Sequence, residues 1–227
     1  MIKHTILAIV TAFCTTIPVL AEPVTPNDYK TPKALGCMIL RECKKDVVKI
    51  TSLQDLRDEL YRLSDTVVEF EEEINSIISN LETLGVEVFL GDEFYFLRNQ
   101  RGVYQSQYNR LFLNRAYMSD QFTLLEVLRH EGWHAAQDIM AGSIDNSNIA
   151  IIFPEEDVPA EWVVLTDFAY ANNPAVLPWE REAKWAGMTL GMTREALEAA
   201  TRGPLWETYE PTPLTRKWLV ENGFIVE

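Results

Sequence analysis

Residues 120–142 read DQFTLLEVLRHEGWHAAQDIMAG, and this stretch decides the fold. Asp120 or Ser119 caps a helix that runs to about Met140 and stops near Gly142. Inside it stand His130, Glu131, Gly132, Trp133 and His134, an H-E-x-x-H pattern. On a helix, residues i and i+4 share a face, so both imidazoles can point at one ion. Glu131 lies about 100° round the helix from His130, close to such an ion without being its ligand. Zinc acidifies the water it holds, and a carboxylate in that place takes the proton as general base. The chain has three histidines, and two of them fall in this one pentapeptide. A chance scatter rarely does that.

A catalytic zinc needs three protein ligands and one open position. Gln137 and Met140 stand where a longer zinc motif would carry glycine and histidine, so the third donor is an oxygen or a sulfur. Downstream acids are Asp145, Glu155, Glu156, Asp157, Glu161, Asp167, Glu180 and Glu182. The loop acids read as solvated. Glu180 and Glu182 lie in PWEREAKWA (178–186), a short helix whose Ala183 and Ala186 allow close approach to the metal helix. The plainer alternative is an amphipathic helix with acids in its first turn, where the dipole favours them.

H-E-x-x-H followed by E-x-x-A on a later helix resembles the gluzincin branch of zinc metallopeptidases, the thermolysin-like architecture in its broad sense. The resemblance implies His130, His134 and Glu180 as zinc ligands, Glu182 as the alternative third ligand, and Glu131 as general base. It also implies a small sheet whose edge strand, here Asn109–Asn114, pairs with an extended peptide. Lys184 takes the place of the aspartate that usually follows in that family. Asp138, one turn beyond His134, is a candidate to orient that ring. Tyr104, Tyr108, Tyr170 or an arginine is a candidate to stabilise an oxyanion.

Upstream, Leu53, Leu56, Leu60, Leu63, Val67, Phe70, Ile74, Ile77 and Leu81 recur at spacings of three and four. This predicts a long helical stretch over Leu53–Leu84, broken at most once, capped by Thr51 or Ser52 and ended by Gly85. Glu71-Glu72-Glu73 reads as a solvated face. From Val86 to Asn114 the period shortens, and Phe94–Leu97 and Leu111–Leu113 are rich in strand formers. A small, largely antiparallel sheet of about three strands is expected there. Downstream, helices are expected over Ala160–Tyr170, Pro178–Ala186, Arg194–Ala200 (capped by Thr193) and Leu214–Val220. The fold class is therefore α+β: a mostly helical, zincin-like domain over 51–227 with its sheet before the metal helix.

At the N-terminus, Lys3 precedes an apolar run, Thr5–Leu20, that ends in Val19-Leu20-Ala21. This predicts a signal peptide over 1–21, cleaved after Ala21. The run is shorter than the ~20 residues needed to span a bilayer, so no membrane anchor is expected after cleavage. Residues 22–50 read as an extended arm, rich in proline, with a loop between Cys37 and Cys43. In an oxidising compartment that pair most simply forms a disulfide.

A hydrophobic fraction of 47% is too high for a disordered chain. With 20 Lys+Arg against 34 Asp+Glu, the net charge of −14 excludes a phosphate-binding footprint and hence a nucleic-acid partner. The sequence thus predicts a secreted or periplasmic zinc-dependent hydrolase, a metallopeptidase acting on a peptide or protein with one catalytic Zn2+. The alternative is a non-catalytic, zinc-containing binding or structural module outside the cytoplasm.

Overall fold

A computed structural model describes residues 47–60, 63, 68–142 and 148–227. The expected signal peptide, the arm up to residue 46 and the Cys37–Cys43 loop lie outside the described residues.

The helical stretch is broken once, into α1 (Leu53–Glu59) and α2 (Val68–Thr83). Ser52 caps α1 in a reciprocal capping box: its side chain accepts from the Asp55 N–H, and Asp55 accepts from the Ser52 N–H. Gly85, at φ 84°, ends α2, and the Val86 N–H reaches back to the Leu81 carbonyl at 2.8 Å. That six-residue return requires a left-handed residue, which glycine adopts without a Cβ penalty. Arg57 on α1 pairs with Glu71 on α2, so this acid is not merely solvated.

Among the described residues the sheet has four strands: β1 (Val47–Ile50), β2 (Glu87–Gly91), β3 (Gly102–Gln105) and β4 (Arg110–Asn114), in the order β1-β2-β4-β3. Three expectations are corrected here. Val47–Ile50, expected in the arm, pairs antiparallel with β2 in the register Val48↔Leu90. The sheet is mixed, because β4 inserts between β2 and β3 and runs parallel to β2. Phe94–Leu97 is not a strand: the Asp92 and Glu93 carbonyls accept from the Tyr95 and Phe96 N–H groups and curl the chain into a 3-10 turn. Phe96 then packs with Val103 and Phe112 in a small cluster of its own.

The helical part follows: α3 (Gln121–Met140), α4 (Ala160–Ala169), α5 (Leu177–Met188), α6 (Met192–Arg202), the single turn α7 (Leu205–Thr208) and α8 (Pro213–Glu221). The class is α+β, as the sequence predicts. Asp120 caps α3 by accepting from the Thr123 N–H at 2.8 Å. Thr193 does not cap α6; its buried hydroxyl donates to the Arg129 carbonyl at 2.8 Å, and Gly191 holds the cap position.

Helix α3 is the hub, packed against α5, α6, α2 and β3. Small residues bring its neighbours close. A Cβ at Gly132 would stand 3.0 Å from Thr193 Cγ2, and one at Gly187 would stand 3.2 Å from the Glu126 carbonyl oxygen and 3.3 Å from His130 Cβ. Ala183 and Ala186 are fully buried in the same seam. Among the described residues no helix is long and apolar enough to cross a membrane.

Candidate metal centre

The α3–α5 seam sets His130 and His134 against Glu180, which stands in the first turn of α5. His130 Nε2 is 3.2 Å from Glu180 Oε2, and His134 Nε2 is 3.6 Å from Glu180 Oε1. One candidate ligand atom from each residue lies within 4.8 Å of the other two. The two rings cross at 88° with centroids 4.8 Å apart, so they converge instead of stacking. All three residues are buried, Glu180 completely.

A buried polar group without a partner costs about 1–3 kcal/mol, more when charged, and native structures hold few of them. Here both Glu180 carboxylate oxygens and His134 Nε2 lack a hydrogen bond of acceptable geometry. The electrostatics agree. Burial lowers His130 to about 4 despite the pull of Glu180. His134 feels the same burial, but Glu180, Glu131 and the Gln137 bond outweigh it and raise the ring to about 9. Glu180 is pushed up by burial, yet the two imidazoles hold it at about 2. Glu180 lies nearer to His130, His134 has the additional negative neighbours, and the two imidazoles share one proton beside the carboxylate. One proton thus balances one buried carboxylate. A divalent cation displaces such a proton when neutral imidazoles and a carboxylate become its ligands. The donor set fits zinc.

Glu131 is fully buried, and its Oε2 accepts from the Tyr104 N–H of β3 at 2.8 Å. Gly102 permits this approach: a Cβ there would lie 2.6 Å from Val127 Cγ1 and 2.9 Å from Glu131 Cγ. Of the two edge strands, β1 and β3, it is β3 that lies against α3. Asn109–Asn114, expected as the edge, is not one: its strand β4 is paired on both sides, because β3 closes over it as a hairpin.

Glu182 does not face the imidazoles. Two residues from Glu180 on a helix, it points to another side. There it accepts from Trp133 Nε1 at 3.1 Å, from Gln137 Nε2 at 2.9 Å and from the Phe153 N–H at 2.6 Å. Burial still raises its carboxyl to about 7. Asp138, expected to orient His134, instead accepts from the Tyr104 hydroxyl at 2.6 Å. His134 Nδ1 meets Gln137 Oε1 at 2.8 Å. Gln137 escaped the sequence reading, although Trp133 and Gln137 repeat the i, i+4 spacing of the two histidines one step round the helix.

The remaining acids play other parts. Glu155, Glu156 and Asp157 are exposed in a 3-10 turn, and Glu155 and Asp167 pair with Arg181. Glu161 is exposed at the start of α4. Asp145 lies outside the described residues. Lys184 donates to Glu126 at 2.7 Å. Of the tyrosines, Tyr104 is engaged by Asp138, while Tyr108 and Tyr170 are half-buried. Compared with protein-family models, with curated proteins and with solved structures, the chain matches none.

Proposed function

We propose that this chain is a zinc-dependent hydrolase, a peptidase acting outside the cytoplasm on a peptide or protein substrate. The observation that carries the reading is the convergence of His130, His134 and Glu180 on one buried point, beside Glu131, with both Glu180 oxygens and His134 Nε2 unsatisfied. These three residues would hold the ion. Bound there, zinc supplies Lewis acidity toward water and a carbonyl oxygen. Glu131 takes the proton from the attacking water and passes it to the leaving amine. The Tyr104 N–H on its Oε2 keeps that carboxylate beside the two histidines instead of letting it swing toward solvent. Export follows from the Thr5–Ala21 signal pattern, and the acidic surface fits no nucleic-acid substrate.

One observation favours a second reading, a structural zinc centre without turnover: neither histidine is more than 1% exposed, and Glu180 and Glu131 are fully buried. Two measurements separate the readings. The purified chain, dialysed against metal-free buffer, should retain about one zinc. It should cleave members of a broad peptide library, and a chelator should stop it. Glu131→Gln should keep the zinc and lose turnover by about 10²–10⁴-fold. Zinc retained with no cleavage by the parent chain supports the structural centre. Failure to take up zinc removes both readings.

A further inference from the structure

Asn148–Pro154 has no regular secondary structure, yet it is fastened to three helices at nearly every residue. Trp179 Nε1 donates to the Ile149 carbonyl at 3.0 Å, and the Ala150 N–H donates to the Gln137 carbonyl at 3.0 Å. Thr215 Oγ1 donates to the Ile151 carbonyl at 2.9 Å, and the Phe153 N–H donates to Glu182 Oε1 at 2.6 Å. Two of these fastenings end on Gln137 and Glu182. Nothing in the proposed reaction yet uses either residue.

The hydrogen bonds around them run in one direction only. Glu182 Oε2 and the Trp179 carbonyl both face the Gln137 amide from one side, at 2.9 and 3.2 Å. Two acceptors require the amide nitrogen there, with its two N–H donors. The amide oxygen must then face His134 Nδ1 at 2.8 Å. An oxygen in that place requires an N–H on Nδ1. That leaves Nε2, on the Glu180 side, as the ring's donor to a metal. The Trp133 indole N–H shares Glu182 Oε2 and pins the carboxylate that begins the chain.

We infer that Gln137 and Glu182 are positioning residues of the metal centre, a relay from Glu182 through Gln137 that fixes the His134 tautomer and ring plane for ligation through Nε2. The relay stands where Lys184 provides no carboxylate, with Gln137 supplied from the metal helix and Glu182 from α5. It also explains why a second acid, buried and held by three donors, accompanies Glu180 on α5. The inference rests on the reading of the centre as a zinc site.

The test uses the purified chain loaded with zinc. Zinc affinity is measured by competition with a chromophoric chelator, and the imidazole N–H groups are observed by 15N NMR, where only three histidines contribute. In the parent chain His134 should show a slowly exchanging Nδ1–H. Gln137→Leu should lower zinc affinity by about 10–100-fold and bring that proton into fast exchange. Gln137→Glu keeps an acceptor on Nδ1 and should restore the slow proton, but its second oxygen faces Glu182 Oε2 and the Trp179 carbonyl, so the affinity should recover only in part. A merely structural Gln137 would lower the melting temperature of the leucine variant and leave its zinc affinity unchanged, which overturns the inference. If the leucine variant does not fold, the parent spectrum decides: an N–H on Nε2 of His134 overturns the relay, and one on Nδ1 supports it. A parent chain that takes up no zinc breaks the metal reading, and this inference with it. Equal affinities in parent and leucine variant break this inference alone.

Discussion

Two buried polar clusters leave α3 from adjacent residues and end differently. Arg129 reaches α2, where Nε donates to Glu73 Oε1 at 2.9 Å and Nη2 donates to Oε2 at 2.5 Å. The Gly191 N–H adds a third bond to that carboxylate, at 2.9 Å. Charge, donors and acceptors all close on one another. His130 and His134 reach α5, where the Glu180 oxygens meet imidazole nitrogens at 3.2 and 3.6 Å without a hydrogen bond of acceptable geometry. Both clusters were taken out of water at similar cost. The first recovers that cost in three hydrogen bonds, and the second only in the charge of a proton shared by two imidazoles beside one carboxylate. The two buried charges are therefore told apart by what remains unsatisfied around them, because burial alone is the same for both.

Breaking the closed cluster should be the more damaging to the fold. Glu73→Ala strands a buried guanidinium, and losing one partner of a buried pair costs about 3–5 kcal/mol. Denaturant unfolding should show that loss, while zinc stoichiometry in the surviving folded fraction stays at the parent value. A Glu73→Ala chain as stable as the parent would mean that water reaches Arg129 and that the cluster is not closed.

The open cluster should respond to zinc instead. Free zinc at a hundred times its dissociation constant stabilises the parent by about 2.7 kcal/mol, because only the folded chain presents the site. Glu180→Gln should remove most of that increment, and because it takes the carboxylate from a buried imidazole charge it should also lower the metal-free stability, by less than Glu73→Ala does. An equal zinc increment in both chains would place the ion elsewhere.

The parts of this contrast were unequally legible in the sequence. Helix α3 was plain, because an N-cap, a long helical run and an i, i+4 histidine pair are all local signals. Ala183 and Ala186 marked the helix seam but left Glu180 and Glu182 both open as its acid, and only the family resemblance favoured Glu180. The sheet was not legible in the same way. The parallel pairing of β2 with β4 is made by a chain that leaves, forms β3 and returns, and no alternation of residues within a strand records that path. Phe94–Leu97 has strand-forming side chains, but the carbonyls of Asp92 and Glu93 bend its backbone first. Asp138 and Gln137 exchanged roles for a similar reason. Which of them meets His134 depends on Tyr104 arriving from β3 to occupy Asp138, a contact 34 residues away in sequence.

Glu182 forms a third cluster between these extremes: fully hydrogen-bonded like Glu73, yet adjacent to the open site. Its titration offers the finest test. Its folded carboxyl, raised to about 7 from 4.5, keeps its proton where the unfolded chain has lost it. That contribution to stability is fully present below pH 4.5 and is lost as pH rises toward 7. His130, lowered from 6.5 to about 4, acts oppositely. Its contribution is present above pH 6.5 and is lost as pH falls toward 4. Between pH 4.5 and 6.5 the two slopes cancel, each at most about 1.4 kcal/mol per pH unit for a single proton. The metal-free parent should therefore show nearly flat stability across that window in urea unfolding. Glu182→Gln removes one slope and exposes the other, so the variant should lose stability steadily on acidification from pH 6.5 to 4.5. A flat profile in the variant would mean that His130 takes up a proton in the folded chain as readily as in the unfolded one. The histidine pair would then be open to water, and the distinction between the two clusters on α3 would fail at its better-defined end.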